Sequence, residues 1–447
     1  MREDWAECEL GDITEVNPKI LDKNEIDQEL EVQFLPMRLV EEISNKIHLD
    51  EIRRFHEVQK GSYTYFSEGD VIFAKVTPCM ENGKIAVARG LKNNIGFGSS
   101  EFHVFRTAEV LLNIYLFYFI IQESFRRNAQ HNMTGAVGLR RVPKNYLISH
   151  SFPLPPLPEQ RAIVAKIEEL FSDLDKGIAD LKKAQEQLKV YRQAVLKKAF
   201  EGELTNPLLK HGTIPMGWKK TIIKDVCENI KVGIVIKPKQ YYSKDGKGIH
   251  AFRSANVKEF RVNDSNWVYF TEKGNNQNPR TKLKTGDVLI VRSGYPGTSC
   301  VVPPRFEGAN AIDILIATPN YSKLSSEYLC AFNNSPLAKG LFNEGSRGVA
   351  QKHLNVGVYG KLNILVPPLE EQRQIVREIQ SRLSVCDQME QSITESLEKA
   401  QALRQSILKK AFDGTLLSDE ELAACKEEKD YEPAGVLLER IKVEKKK

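Results

Sequence analysis

Polar, glycine-containing loops recur in both halves of the sequence and carry side chains that nucleic acids attract. Arginine and lysine suit phosphates, whereas arginine, asparagine and glutamine match the hydrogen-bonding edges of guanine and adenine. The first-half candidates are Arg38, Lys75, Thr77, Asn82, Lys84, Arg140, Arg141 and Lys144. The second-half candidates are Arg253, Asn256, Arg292, Ser293, Tyr295, Thr298, Arg347, Gln351, Lys352, His353 and Asn355. One such loop alone is usually a surface turn, but recurrence at corresponding places favours two nucleic-acid-contacting surfaces.

Motifs that signal catalysis are missing from the sequence. No G-x-x-x-x-G-K-[ST] loop occurs, and no G-x-G-x-x-G follows a strand-like run. The Asn/Asp-Pro-Pro-aromatic run of amino-methyltransferases is also missing, since 206–208 (Asn-Pro-Leu) and 278–280 (Asn-Pro-Arg) do not match it. The eight histidines lack the spacing that holds a metal ion. We therefore predict a non-catalytic protein without a metal site or a cofactor of its own.

Composition and length place the chain among ordinary globular proteins. Of 447 residues, 41% are hydrophobic and 28% charged, and the length suggests about three structural units. The net charge of +5 is mild, so nucleic-acid binding must depend on local patches. Seven scattered cysteines without a C-x-x-C pair indicate reduced thiols. Because a signal-peptide core is missing and the apolar run 111–121 is too short for a bilayer, we expect a cytoplasmic protein without membrane partners.

One stretch of about fifty residues occurs twice and organises the chain. The first copy runs from PPLPEQR to KKAFEGEL, and the second runs from PPLEEQR to KKAFDGTL. They occupy residues 155–204 and 367–416, a shift of 212 residues with no insertion or deletion. Proline and glutamate suit the start of a helix, whereas paired lysines and a following glycine suit its end. Each copy is therefore predicted to form one helix of about 60 Å.

Apolar residues at seven-residue spacing predict that the two helices pair. Two such series run along the first helix: Ile167, Leu174, Leu181, Leu188 and Val195, and Ile163, Leu170, Gly177, Ala184 and Tyr191. The second helix keeps the spacing less regularly, with Ile375, Ile379, Met389, Ile393, Ala400, Leu403 and Ile407. This pattern is typical of a coiled coil. We expect the small residues Gly177, Ala184 and Ala400 to let the backbones approach closely.

The segments outside these helices contain strand-like runs and share matching motifs. Residues 69–72 (GDVI) match 286–289 (GDVL), and 115–116 match 328–329, at offsets between 212 and 217. The run 111–127 is predicted to be one helix. We predict an α+β protein: two similar mixed α/β domains separated by two long helices that form an antiparallel coiled coil with pseudo-two-fold symmetry. The predicted boundaries are 1–152 and 206–365 for the domains, 153–205 and 366–417 for the helices, and 418–447 for a charged, solvated tail with a short helix.

This order of segments resembles the DNA-sequence-specificity subunit of type I restriction–modification enzymes. The likeness rests on PPLxEQR and KKAFxG at the ends of each helix and covers nearly the whole chain. It implies that the globular domains are target recognition domains, each for one half of a bipartite, asymmetric DNA sequence. It also implies that the helices act as an antiparallel ruler and hold two modification (methyltransferase) subunits. Restriction subunits would supply ATP-driven translocation and cleavage.

The resemblance places partner contacts at the motif residues of the two helices. These are Glu159, Gln160, Arg161, Lys197, Lys198, Phe200, Glu371, Gln372, Arg373, Lys409, Lys410 and Phe412. The residues alone leave two alternatives open. A coiled-coil structural protein could carry two ligand-binding heads that are not specific for DNA. An enzyme in its own right would show activity with S-adenosylmethionine or ATP without partners.

Overall fold

The computed structural model describes residues 2–20, 25–136, 138–210, 212–345 and 354–444. The chain divides into two compact units. Unit 1 comprises Met1–Asp180 with Ser396–Lys447, and unit 2 comprises Leu181–Glu395. Each unit therefore contains one globular head together with part of both long helices. None of the described helices is long and apolar enough to cross a membrane.

Head 1, the globular part of unit 1, is built from short strands and short helices that precede the first long helix. Its strands are β1 (Ala6–Glu9), β2 (Thr14–Val16), β3 (Glu31–Leu35), β4 (Glu51–Arg54), β5 (Thr64–Ser67), β6 (Val71–Ala74), β7 (Ile85–Val87), β8 (Ile95–Gly98), β9 (Phe102–Thr107) and β10 (Ser151–Leu154). The helices are α1 (Leu10–Ile13), α2 (Phe55–Val58), α3 (Asn113–Ile120), α4 (Glu123–His131), α5 (Lys144–Ile148) and the long α6 (Leu157–Phe200), with 3₁₀ turns at Met37–Leu39 and Lys92–Asn94.

Two sheets form head 1. The first is antiparallel with the order β2-β9-β6-β7, and the second has the order β4-β3-β8-β5 with β3 and β8 parallel. Strand β1 pairs antiparallel with β10, so the chain enters and leaves the head along one ribbon. The run predicted as one helix forms α3 and α4 instead. The backbone of Gln122 leaves the helical region there, and its buried side chain donates to the carbonyl of Phe119 at 3.1 Å.

Head 2, the globular part of unit 2, contains a similar set of elements. Its strands are β11 (Lys219–Ile222), β12 (Cys227–Val232), β13 (Ile249–Phe252), β14 (Val257–Lys258), β15 (Arg261–Val262), β16 (Val268–Phe270), β17 (Val288–Val291), β18 (Ser299–Val301), β19 (Asn310–Ala311), β20 (Ile314–Pro319) and β21 (Asn363–Val366). Its helices are α7 (Ile223–Val226), α8 (Glu272–Asn276), α9 (Ser326–Asn334), α10 (Pro336–Gly345) and α11 (Val356–Gly360), with 3₁₀ turns at Pro238–Tyr241, Ser254–Asn256, Pro279–Thr281 and Pro304–Phe306.

The strand orders of head 2 repeat those of head 1. The sheet β12-β20-β17-β18 corresponds to β2-β9-β6-β7, and the ribbon β11-β21 corresponds to β1-β10. A parallel pair, β13 with β19, corresponds to β3 with β8, although its sheet has the order β16-β13-β19. The hairpin β14-β15 forms a separate two-stranded sheet. The prediction of two similar mixed α/β domains is therefore confirmed, and the heads differ mainly in peripheral strands.

The long helices α6 and α12 (Leu369–Phe412) pair antiparallel within each unit. In unit 1, Asp175 of α6 accepts a hydrogen bond from Arg404 of α12. In unit 2, Arg192 of α6 donates to Asp387 of α12 and also to Glu390 at 3.1 Å. Each member of the first ion pair lies 212 residues from its counterpart in the second. The helices therefore pair in one register in both units, as the antiparallel coiled coil predicted from the repeat requires.

The predicted seam of the coiled coil is only partly correct. Met389 is 51% exposed and Leu403 49% exposed, whereas Cys386 is buried. Tyr191 is 44% exposed. A Cβ atom added to Gly177 would meet nothing within 4 Å, so this glycine does not mediate close backbone approach. A straight helix drifts by about 20° per heptad, which moves the contacts away from strict seven-residue spacing.

The residues after α12 fold onto head 1 as α13 (Asp419–Lys426) and α14 (Ala434–Glu444), together called the tail. Leu437, Leu438 and Ile441 of α14 are buried in the same core as Leu10 and Ile13. The predicted short helix therefore docks within its own chain. The charged run 426–430 is exposed, as predicted, and its Glu428 and Asp430 form ion pairs with Arg161 near the start of α6.

Candidate functional site

Two predicted loops of head 1 lie side by side and form what we call the head 1 edge. The N–H of Val142 donates to the carbonyl of Lys75 at 2.9 Å, and the N–H of Thr77 donates to the carbonyl of Arg140 at 3.1 Å. Arg141 lies between these two contacts. The structure thus brings Lys75, Thr77, Arg140 and Arg141 together although about sixty residues separate the two loops.

Arg141 is held by a carboxylate that sequence reasoning missed. Its Nε and Nη2 donate to Glu101 at 2.8 and 2.6 Å. These hydrogen bonds lower the pKa of Glu101, and burial lowers the pKa of neighbouring Lys75. The side chain of Arg141 remains 46% exposed. A two-point clamp of this kind fixes the guanidinium plane, which suits recognition of a phosphate or a guanine edge.

The other members of the head 1 edge differ in how much of their polar surface remains available. Arg140 donates to the carbonyl of Met133 at 2.9 Å, and the hydroxyl of Thr77 donates to the carbonyl of Arg140 at 3.4 Å. Lys144 is exposed at the start of α5, beside a cavity of about 550 Å³ that Arg106 also lines. Arg140 and Thr77 therefore stabilise the loop, and Lys144 presents its charge to solvent.

A second group of head 1 candidates is engaged within the fold. The ammonium of Lys84 donates to the carbonyl of Val40 at 2.7 Å. Asn82 donates to Glu42 at 2.9 Å, and Arg38 pairs with an acidic side chain of β4. Lys84 thus fixes the neighbouring turn. Arg38 and Asn82 stay exposed on the surface.

Head 2 repeats the arrangement of the head 1 edge with a different cation. The N–H of Leu354 donates to the carbonyl of Arg292 at 3.1 Å, as Val142 does to Lys75. The Nε of Arg292 donates to the carbonyl of Leu354 at 3.0 Å, and its Nη1 donates to Asp313 at 2.5 Å. Only 16% of this side chain is exposed. Arg292 therefore ties the β17–β18 hairpin to the segment before α11, and little of its guanidinium remains for a ligand.

The tip of the β17–β18 hairpin presents Tyr295, whose side chain is 83% exposed. Gly294 and Gly297 flank it with φ of +82° and +93°, conformations that favour glycine. Ser293 and Thr298 are partly buried at the base of the tip. An exposed phenol ring on a tight, glycine-flanked tip is suited to stacking on a nucleic-acid base.

Three further candidates of head 2 make hydrogen bonds within the fold, and the guanidinium of Arg253 donates to the carbonyl of Asn266. Asn256 is fully buried, donates to the carbonyl of Ser265 at 3.0 Å and accepts the N–H of Arg253 at 3.1 Å. Asn355 caps α11 by accepting the N–H of Val358 at 2.9 Å. Turn formation uses the buried side chain of Asn256, which corrects its prediction as a base contact, whereas Asn355 stays exposed and Arg253 partly exposed. The remaining candidates lie outside the described residues: Arg347, Gln351, Lys352 and His353.

Buried His103 on β9 contacts the backbone of the head 1 edge. Its Nε2 lies 2.9 Å from the carbonyl oxygen of Val142, and its Nδ1 lies 3.0 Å from the amide nitrogen of Asn17. Burial lowers the pKa of His103 to about 4, so the ring is neutral at pH 7. In the described part of the chain, no group of three or more His, Cys, Asp or Glu residues is placed to hold a metal ion.

The glutamine of the PPLxEQR motif makes the same buried hydrogen bonds in both units. Gln160 accepts the N–H of Leu112 at 2.9 Å and donates to two backbone carbonyls at 2.8 and 2.9 Å. Gln372 accepts the N–H of Ser325 at 2.9 Å and also donates to two backbone carbonyls at 2.8 and 2.9 Å. Each glutamine therefore fastens the start of a long helix to the head beside it.

Other motif residues predicted to contact partners are also internal. Glu159 is 2% exposed and accepts a hydrogen bond from the indole of Trp5 at 2.8 Å. Phe200 packs on Tyr328 of α9, and Phe412 packs on aromatic rings of α3. Burial prevents direct partner contact, which corrects the prediction for Glu159, Gln160, Phe200, Gln372 and Phe412.

The charged motif residues lie nearer the surface. Arg373 is 62% exposed and pairs with Glu370 of its own helix at 3.0 Å. Its counterpart Arg161 donates to Asp430 of the tail at 2.9 and 2.8 Å. Glu371 is partly buried and accepts hydrogen bonds from residues that follow α6. Four further lysines are exposed near the helix ends: Lys197, Lys198, Lys409 and Lys410.

The family model described as the type I restriction modification DNA specificity domain matches the chain twice, at residues 2–186 and 215–399. The EcoEI specificity subunit of Escherichia coli is 24% identical over 87% of this chain and 79% of its own length. The EcoKI specificity subunit of E. coli K12 is 25% identical over 88% of each chain. Both relatives are specificity subunits of type I restriction enzymes. The similarity extends along most of this chain and most of each relative.

Two solved structures share the fold. A chain from a study of complex assembly and conformational transition of the type I R-M system superposes with a TM-score of 0.76, 22% identity and coverage of 93% of this chain and 99% of that one. The HsdS subunit of Thermoanaerobacter tengcongensis superposes with a TM-score of 0.62 at 22% identity, covering 93% and 98%. With the domain model matched in both halves, the chain belongs to the family of type I restriction modification DNA specificity proteins.

Proposed function

We propose that this specificity subunit recognises a bipartite, asymmetric DNA target, one half with each head. We further propose that it holds two modification subunits and engages restriction subunits, in the cytoplasm. One observation carries the asymmetry: the heads share a framework but expose different side chains on their loops. Head 1 exposes the guanidinium of Arg141, whereas head 2 exposes the phenol ring of Tyr295. Different side chains on one framework support two different half-sites.

In head 1 the proposed DNA contacts are the groups that remain available after the internal hydrogen bonds. Arg141 presents a clamped guanidinium for a base edge or a phosphate, and Lys144 presents an ammonium for a phosphate. In head 2, Tyr295 would stack on a base, with contributions from residues in the 346–353 segment. The phosphate contacts should make log affinity fall by roughly 0.9 per neutralised phosphate for each log unit of salt.

The long helices support a fixed spacing between the two half-sites. Arg192–Asp387 in unit 2 and Arg404–Asp175 in unit 1 set the same antiparallel register. We propose that this shared register lets the helices act as the ruler that sets the number of base pairs between half-sites. The exposed charged residues of the helices, including Arg373, would remain for the modification subunits.

Exchange of head 1 tests the modular assignment. The chain is co-purified with modification subunits from its operon, and the methylated sequence is determined for the wild type and for a chimera carrying residues 1–152 of another family member. Only one half of the target should change. A change in both halves would contradict separate recognition by the heads. If no complex forms and no DNA sequence is protected, a structural protein with non-DNA ligands is the better description.

A point substitution tests the head 1 edge within the assembled complex. Arg141→Ala should weaken binding to the cognate duplex by about 1–3 kcal/mol and relax selectivity at one position of one half-site. Arg89→Ala is the matched control, because Arg89 is exposed on head 1 but lies outside the predicted set. Equal effects of the two substitutions on cognate and non-cognate DNA would exclude a base-specific role for Arg141.

A further inference from the structure

An aromatic layer fills the space between head 1 and the long helices in unit 1. Phe117 and Tyr118 of α3 lie edge to face with ring centroids 5.2 Å apart. Tyr118 meets Phe171 of α6 at 5.9 Å, and the guanidinium of Arg404 lies 4.4 Å from the centroid of the Phe171 ring. Tyr118 is only 9% exposed, so this layer closes the junction.

The corresponding layer of unit 2 is built from small side chains. Cys330 and Ala331 of α9 stand where α3 has Phe117 and Tyr118, because the tyrosine–leucine pairs at 115–116 and 328–329 align the two helices. Leu383 stands 212 residues after Phe171, in the second copy of the repeat. Three aromatic rings are thus replaced by a thiol, a methyl group and an isobutyl group.

A cavity of about 810 Å³ lies at this place in unit 2, and we call it the unit 2 cavity. Cys330, Ala331 and Leu383 all line it, so the three substitutions account for the open space. Its apolar wall continues on both long helices and on β18, with Leu196, Val376, Ile379 and Val301. The cavity is therefore encoded in the sequence of this second copy.

Arg192 gives the unit 2 cavity a specific chemical preference. It lines the cavity, and its Nη2 is held by Asp387 and Glu390. Its counterpart Arg404 stacks on a phenyl ring, whereas no aromatic ring stacks on Arg192 within the described part of the chain. A guanidinium fixed in this way over an apolar wall favours the face of an aromatic ring.

We propose that the unit 2 cavity receives an aromatic side chain of a modification subunit, which stacks on Arg192. This inference rests on the proposed function, since it names how a partner of that function is held. Unit 1 provides the template, because the same place there holds Tyr118 and Phe171 of the chain itself. Exposed Lys189, Lys258 and Arg261 line the cavity as well, so an incoming side chain can reach it from solvent. Buried aromatic anchors of this kind dominate the affinity of protein interfaces.

Filling the cavity tests the proposal. Leu383→Phe, alone and with Ala331→Tyr, copies the unit 1 layer into unit 2. Binding of the purified modification subunit to the full-length chain, measured by isothermal titration calorimetry, should weaken at least tenfold. Leu337→Phe is the matched control, since Leu337 is 42% exposed on α10 and lies outside the cavity. It should leave affinity within twofold of the wild type. Filled variants that bind as tightly as the wild type would overturn the proposal.

A small-molecule probe gives a second measurement that needs no substitution to fold. 4-Methylphenol, which has the tyrosine side-chain ring, should bind the wild-type chain and reduce its affinity for the modification subunit in a dose-dependent manner. Lack of competition by 4-methylphenol would overturn the proposal. A filled variant that instead alters self-association of the chain would also overturn it, because the occupant would then be a second copy. A wild-type chain that does not bind the modification subunit at all would refute the proposed function itself.

Discussion

Each head joins a long helix through the same sequence motif: head 1 joins α6, and head 2 joins α12. The two junctions share the contacts of the motif but differ in the residues that surround it. Gln160 and Gln372 make matching sets of buried hydrogen bonds. In unit 1 the tail covers the junction, and Arg161 donates to Asp430. In unit 2 the counterpart Arg373 donates to Glu370 of its own helix at 3.0 Å. The motif thus fixes how a head is attached to its helix, whereas the residues that surround the motif differ between the two units.

The two tryptophans at these junctions also differ in their hydrogen bonding. The indole N–H of Trp5 donates to Glu159 at 2.8 Å. Trp218 occupies the corresponding place, but among the described residues its buried Nε1 has no hydrogen-bond partner. Glu371 accepts instead from the hydroxyl of Thr205 at 3.0 Å. A buried donor without a partner costs free energy. Unit 2 therefore has the junction with the less satisfied hydrogen bonding, and its helices also line the unit 2 cavity.

Removal of the tail should give the largest difference in stability between the two units. A chain ending at residue 417 loses the burial of Leu437, Leu438 and Ile441, which at about 1.5–3 kcal/mol each amounts to about 5–9 kcal/mol. Hydrogen exchange measured by mass spectrometry should show lost protection in β1 and α1. Peptides from β11 and α7 should be unchanged. Retained protection in unit 1 would contradict a structural role of the tail.

Replacement of the motif glutamines should affect the two units equally. Gln160→Leu and Gln372→Leu each leave one N–H and two carbonyls unsatisfied, at a cost of about 3–5 kcal/mol in the local opening free energy. The readout is hydrogen exchange in α3 for the first variant and in α9 for the second. Gln187→Leu, on the exposed surface of α6, is the control. A difference above about 2 kcal/mol between the variants would refute the equivalence of the junctions.

Acid should destabilise head 1 more than head 2 through His103. Its pKa of about 4 in the folded state lies below the ordinary value of 6.5, so the unfolded state binds more protons between these values. Stability is therefore lost as pH falls through this window, by about 2 kcal/mol at pH 5. Leu315 of β20 occupies the corresponding position in head 2 and binds no proton.

The variant His103→Leu isolates this contribution. Local opening free energies of β9, measured by hydrogen exchange at pH 7 and pH 5, should show a smaller pH dependence in the variant than in the wild type. The pH dependence of β20 should be the same in both proteins. An unchanged pH dependence of β9 would show that His103 does not titrate between the folded and unfolded states.

Substitution of the tryptophans should separate the two junctions by about the contribution of one buried hydrogen bond. Trp5→Phe leaves the buried carboxylate of Glu159 without its donor and should cost about 2 kcal/mol beyond the loss of ring packing. Trp218→Phe removes an N–H that has no described partner, so only the packing loss is expected. Thermal unfolding of the two variants at pH 7 measures the difference. Equal destabilisation would mean that the indole N–H of Trp5 contributes nothing.

The repeat predicted the helices almost to their ends, because helix formation depends on local signals. Proline, glutamate, paired lysines and glycine bracket α6 and α12 as expected. The seam was less predictable, since Cys386 is buried where the seven-residue spacing predicted Met389. The break between α3 and α4 was missed as well, because no proline or glycine marks Gln122. Which residues of a long helix become buried depends on drift and on what packs beside it.

The candidate site was also only partly predictable from the sequence. Residue types alone selected the polar loops, whereas the fold engages Asn256 and Lys84 in hydrogen bonds to backbone carbonyls. Glu101 and Asp313 were missed, although they hold Arg141 and Arg292. Their partners are about 40 and 21 residues away in the chain, so no local pattern links them. Only the pairing of strands and loops brings such charges within hydrogen-bond distance.

By itself, the sequence determined the two heads, the two long helices and the family, because these follow from repeated motifs and from helix signals read over a few neighbouring residues. The tertiary structure decided which side chains remain available. It buried Gln160 and Gln372 at the junctions, folded the tail onto head 1 and left the space beside Ala331 open. Burial and cavity formation depend on contacts between residues far apart in the chain, and such contacts exist only after the chain has folded.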